Sequence, residues 1–78
     1  MHYNFISMTE KDIDALKSLG LKLKQLRQQC NYSQERFAEL TDLDRTYISS
    51  LERGKRNPSY LILKRLSKVL KISPAVFF

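Results

Sequence analysis

Seventy-eight residues are enough for one compact domain with a thin core and leave no room for a second. A net charge of +6 and a pI near 9.7 suit a polyanionic partner, although the same excess would equally serve solubility or an acidic membrane surface. A single cysteine, Cys30, excludes an internal disulfide and fits a reducing cytoplasm, where it reads as a small apolar residue at a helix end.

Residues 1–8 are apolar but aperiodic and are expected to form a loosely attached arm. They lack a basic n-region and a long apolar run, so neither a signal peptide nor a membrane span is expected. Thr9 followed by Asp12 has the spacing of a capping box and starts a first helix near Glu10 that runs to about Gln29. Ile13, Leu16, Leu19, Leu23 and Leu26 recur three or four apart along its inward stripe, with Lys17, Lys22, Lys24 and Gln28 facing water. Asn31 is a candidate left-handed cap, because Asn tolerates positive φ.

Ser33 caps a second helix, about Gln34 to Thr41, whose apolar residues are Phe37 and Ala38. Leu43 plugs the corner that follows, and Asp44 is placed to cap a third helix with its carboxylate. That helix runs from Arg45 to Glu52 or Arg53 and turns Ile48 and Leu51 inward. Ala38 matters by being small, since two helices crossing steeply over a short turn bring their backbones close. Along the third helix Arg45, Thr46, Tyr47, Ser49 and Ser50 make a donor-rich surface of little bulk. Ser49 is expected to pack inward and Ser50 to lie exposed.

Gly54 ends the third helix, and Lys55, Arg56, Asn57 and Pro58 form a short basic loop. Ser59 caps a fourth helix, about Tyr60 to Leu70, with Leu63, Leu66 and Leu70 inward and Lys64, Arg65 and Lys68 outward. Ile72 returns to the core, and Ser73 with Pro74 opens a last short helix carrying Ala75, Val76, Phe77 and Phe78. No stretch alternates as a strand would, so the chain is all-α. Charge is unevenly spread: residues 11–30 carry +3, residues 42–52 carry −2 and residues 53–71 carry +7. The positive potential therefore flanks the third helix, as it would if phosphates were gripped on both sides of a groove.

The run SQERFAELTDLDRTYISSLERGKRNPS resembles the signature of the Xre/Cro/CI helix-turn-helix family of bacterial and phage transcription regulators. Within it, LDRTYIS followed by ERG and RN is most similar to the controller proteins of restriction-modification systems. The resemblance covers Leu19 to Ile72 and implies a five-helix bundle, a lambda repressor-like DNA-binding domain. Asp42 departs from the family's usual Gly or Asn and Lys71 from its frequent Gly. The resemblance further implies a phosphate or base contact from Gln34 at the start of the second helix, where the dipole favours an anion. It also implies a partly buried structural ion pair between Arg27 and Glu52.

With the third helix in a major groove, its first-turn side chains meet base edges. Arg45 leads, because a guanidinium can bond N7 and O6 of guanine together; the alternatives are a phosphate clamp or an ion pair with Asp42 or Asp44. Thr46 either touches a thymine methyl or bonds a phosphate, and Tyr47 either wedges against bases or packs as the lip of the core. Ser50 completes the base-contacting set. Arg53, Lys55, Arg56 and Asn57 are expected on the DNA backbone.

A catalytic residue, metal site or cofactor is not expected from one histidine, no CxxC pair, no Gly-rich phosphate loop and scattered acids. One domain contacts too few base pairs to find a site in a genome, so a homodimer on a pseudo-palindromic operator in double-stranded DNA is expected. Ile72, Ala75, Val76, Phe77 and Phe78 are the candidate interface, with one of the two phenylalanines closing the monomer core; the arm at 1–8 is a second candidate. The rival reading is an antitoxin or adaptor that holds a protein partner on the same apolar surface.

Overall fold

Most helices begin where a short hydroxyl side chain takes up a free backbone N–H. In the computed structural model, which describes residues 7–78, the Thr9 hydroxyl accepts from the Asp12 N–H at 3.1 Å while the Thr9 N–H donates to Asp12 Oδ2 at 2.9 Å. Ser33 accepts from the Arg36 N–H at 3.0 Å, Ser59 from that of Ile62 at 3.2 Å and Ser73 from that of Ala75 at 3.2 Å. Each such cap contributes about 1 kcal/mol. The helices they open are α1 (Glu10–Gln29), α2 (Gln34–Thr41), α4 (Tyr60–Leu70) and a single 3-10 turn, Pro74–Phe77; α3 (Arg45–Glu52) lies between α2 and α4. Asp44 departs from expectation. Its backbone has the extended geometry of a cap, but its carboxylate accepts no first-turn N–H, and α3 starts on the Ile48 N–H to Asp44 carbonyl bond and on the burial of Ile48 and Leu51.

All four α-helices stop in the same way. Asn31, Asp42, Gly54 and Lys71 take left-handed conformations at φ 60°, 56°, 75° and 60°. The next residue in each case returns its N–H to a carbonyl five positions back: Tyr32 to Arg27, Leu43 to Ala38, Lys55 to Ser50 and Ile72 to Ser67. Tyr32, Leu43 and Ile72 then pack on the core, the apolar contact that accompanies this kind of helix end. The connections are thus set by the helix termini themselves.

The core is one cluster of Leu23, Phe37, Ala38, Ile48, Leu51, Leu63, Leu66 and Leu70, drawn from every α-helix. The stripe expected on α1 is covered only toward its C-terminal half: Leu23 is buried, Leu16, Leu19 and Leu26 are half-buried and Ile13 is exposed. The reason is length, since 20 residues reach about 30 Å and overrun the eight-residue α3 that α1 packs against. Where α1 crosses α3 it carries Gly20, a residue whose part the sequence reading missed. A Cβ there would lie 2.5 Å from the carbonyl oxygens of both Leu51 and Glu52.

The described residues are all-α with a helix-turn-helix, but the fifth helix of the expected bundle is only a turn. Val76 and Phe78 return their N–H groups three residues back, to Ser73 and Ala75, and four residues leave no room for an α-helical ladder. Lys22 fastens this turn to α1 by donating to the Val76 carbonyl at 3.1 Å. Phe77 packs on the core and Phe78 is 81% exposed. The expected arm lies outside the described residues except for Ser7 and Met8, which are irregular and exposed.

Candidate nucleic-acid interface

Helices α2 and α3 meet over residues 42–44, with Ala38 buried beneath the corner and Leu43 packed against the core. Burial of Ile48 and Leu51 fixes which way α3 is rotated, and Arg45 and Thr46 are consequently exposed at its N-terminal end. Neither Asp42 nor Asp44 pairs with Arg45, whose guanidinium has no hydrogen-bond or ion-pair partner among the described residues. Its five donors face outward uncommitted.

The other end of α3 is locked. Arg27 Nε donates to Glu52 Oε2 at 2.6 Å and Arg27 Nη2 to Glu52 Oε1 at 3.0 Å, while Arg27 Nη1 reaches the Tyr32 carbonyl at 2.7 Å. The side chains are 8% and 2% exposed. This two-pronged geometry satisfies the fork of the guanidinium and both carboxylate oxygens, which is what makes a buried pair tolerable. Gln34 joins it, donating from Nε2 to Glu52 Oε1 at 3.0 Å. The residue expected on DNA from α2 therefore also braces α3, leaving the second N–H of its amide for a phosphate.

Ser50 is not exposed as expected. It is 8% exposed, and the Arg53 side chain folds back along α3, placing Nη2 3.5 Å from the Ser50 hydroxyl and Nε 3.3 Å from the Ser49 carbonyl. Ser49, expected to be the inward serine, is half-buried. The burial of Ser50 contradicts its expected exposure, and Arg53 spends part of its donor capacity on its own helix. Tyr47 is half-buried and packs against the core cluster, so of its two expected positions it takes the lip of the core.

Lys55, Arg56 and Asn57 are exposed in the loop between α3 and α4, which is pinned at one end by Gly54 against α1 and at the other by buried Pro58. A Cβ at Gly54 would come within 2.8 Å of the Lys17 Cα, so the close approach as well as the positive φ requires glycine. The loop offers two cations and an amide beside the exposed end of α3. Among the described residues no group of His, Cys, Asp and Glu could hold a metal ion, and no helix is long and apolar enough to cross a membrane.

A slender helix end bearing free donors, braced from behind and with the basic loop reaching its Tyr47, is the arrangement that the helix-turn-helix places in a DNA groove. The Helix-turn-helix family model matches residues 23–77, and the chain belongs to this family of DNA-binding transcription regulators. Within it the chain is similar to control proteins: it is 50% identical over 60 residues to the control protein C.MunI of a Mycoplasma species, covering 76% of this chain and 81% of that one. The restriction-modification controller protein C.AhdI from Aeromonas hydrophila has a solved structure with a TM-score of 0.81 and 36% identity, covering 90% of this chain and 100% of that one. SinR, a master regulator for biofilm formation solved in complex with DNA, gives a TM-score of 0.73 at 35% identity over 76% of this chain and 95% of that one.

Proposed function

We propose that the chain is a controller-like, sequence-specific regulator that binds a pseudo-palindromic operator near a promoter as a homodimer, in the cytoplasm where its DNA lies. Arg45 and Thr46 read base edges from the end of α3. Gln34, Arg53, Lys55, Arg56 and Asn57 hold the backbone on either side. The observation that carries this reading is the uncommitted Arg45 guanidinium on a helix whose opposite end is fixed by Glu52. A reader must be free at its tip and rigid at its root if a base contact is to discriminate.

Pairing of two chains is supported by the C-terminal turn. Ile72 and Phe77 spend part of their surface on the core of their own chain, which leaves Ala75, Val76 and the 81%-exposed Phe78 as the apolar surface offered to a second copy. Leu61, 70% exposed at the start of α4, is a further apolar side chain in solvent. Two copies would present their reading helices about 34 Å apart, one turn of the duplex.

Selection of bound sequences from a random double-stranded DNA pool tests both parts. Inverted half-sites about 10 base pairs apart are expected from that geometry. Recovered sequences without an inverted repeat would remove the dimer, and a pool with no enrichment would remove sequence-specific binding.

A further inference from the structure

Arg56 sits among like charges. The groove beside it, lined in part by Met8, Ile13, Leu16 and Tyr47, also carries Lys17, Lys55 and Arg56 and has no carboxylate on its walls. Repulsion alone would send the Arg56 guanidinium into solvent, and no hydrogen bond or ion pair among the described residues holds it back. Yet its Cζ lies over the Tyr47 ring, 5.7 Å from the centroid. The ring face carries the negative end of the aromatic quadrupole and attracts a cation at this range. The ring itself is half-buried and packs against the core cluster, so it is a fixed platform.

We infer that Tyr47 is a positioning residue for Arg56, holding the guanidinium by its face so that its N–H edge stays presented to a backbone phosphate. Stacking engages the π face of the guanidinium and leaves all five in-plane donors available, whereas a carboxylate partner would consume the edge that binds phosphate. The loop end of the interface is thereby organised before DNA arrives, and a long flexible side chain surrenders less rotamer entropy on binding. This role belongs to the ring and not to the hydroxyl, so phenylalanine retains it and leucine, which still fills the apolar lip, does not. The inference rests on the reading of the 53–57 loop as a phosphate clamp.

The test compares Tyr47→Phe with Tyr47→Leu, each with Arg56 present and with Arg56→Ala, by dissociation constants for the selected operator and for random duplex across a salt series. Both variants at position 47 lack the hydroxyl, so any contact it makes to a base drops out of the comparison. With Arg56 present, leucine is expected to bind both DNAs about two- to five-fold more weakly than phenylalanine; with Arg56→Ala the two are expected to bind alike. Arg56→Ala itself is expected to weaken both DNAs and to lower the salt slope by about 0.9. An equal phenylalanine-to-leucine difference in both backgrounds, or no effect of Arg56→Ala, overturns the inference.

A second measurement needs no DNA. In the free protein the Arg56 side-chain protons are expected to show upfield ring-current shifts that survive Tyr47→Phe and vanish in Tyr47→Leu, and unshifted protons in Tyr47→Phe overturn the stacking. If the native protein shows no salt-dependent affinity for duplex DNA, the function proposed above fails, while the proton shifts still decide the contact between the two side chains.

Discussion

At its C-terminal end α3 is hemmed in by α1 and α2: Glu52 lies between Arg27 and Gln34, and at Gly20 the carbonyls of Leu51 and Glu52 leave no room for a Cβ. At its N-terminal end, two turns away, Arg45 and Thr46 stand in solvent and even the side-chain cap is missing. The first end is where changes should cost folding, and the second is where they should cost recognition. A helix of eight residues is short enough that rigidity at one end orients the other.

The largest expected effect is at the locked end. Glu52→Ala leaves the Arg27 guanidinium buried without its carboxylate and should destabilise the fold by about 3–5 kcal/mol in urea unfolding. That is a large share of the total, since domains hold roughly 0.05–0.15 kcal/mol per residue. A loss below about 1 kcal/mol would mean the pair behaves as a surface bridge and the contrast between the two ends fails. Gly20→Ala comes next. Better helix propensity returns about 0.5–1 kcal/mol, but overpacking against two fixed carbonyls costs about 1–3 kcal/mol, so a net fall in melting temperature is expected. An unchanged melting temperature would show that the α1–α3 seam can open to admit a methyl group.

At the free end the effects should move to DNA. Arg45→Ala should leave stability within about 0.5 kcal/mol and should lose about 1–3 kcal/mol of discrimination at one base pair, read as the ratio of operator to random-duplex dissociation constants. An unchanged ratio would take Arg45 out of base reading. Lys55→Ala should have the smallest and least selective effect, weakening all duplexes alike and lowering the salt slope by about 0.9. A change confined to the operator would make Lys55 a reader and blur the division between tip and loop.

Much of the fold is legible in the sequence because helix ends are local. Thr9 with Asp12, and Ser33, Ser59 and Ser73, act on N–H groups two or three residues away, so spacing alone places them. The left-handed residues Asn31, Asp42, Gly54 and Lys71 are equally local. Features set by distant chain segments are not. Gly20 is marked only as a glycine inside a helix, and its reason lies more than 30 positions away on α3. That Ser50 is buried more deeply than Ser49, with Arg53 folded over both, is not fixed by residue types either. The same holds for Phe77 and Phe78, adjacent and chemically identical, of which only the first meets the core. Arg45 and Thr46 were placed at the exposed tip by the simple fact that Ile48 and Leu51 must turn inward. The placement of the Arg56 guanidinium over the Tyr47 ring needed the loop's path.

Three helix corners are turned by residues with a β-carbon, Asn31, Asp42 and Lys71, although each backbone there suits glycine. Left-handed geometry costs an ordinary side chain about 1–2 kcal/mol, less for Asn and Asp. The chain therefore carries slack at these corners, which could drift to glycine and back without disturbing anything around them. Gly54 has no such latitude, because the backbone of Lys17 already occupies the space a side chain would need. Sequence variation tolerated at the first three bends should be absent at the fourth, the one that aims the basic loop.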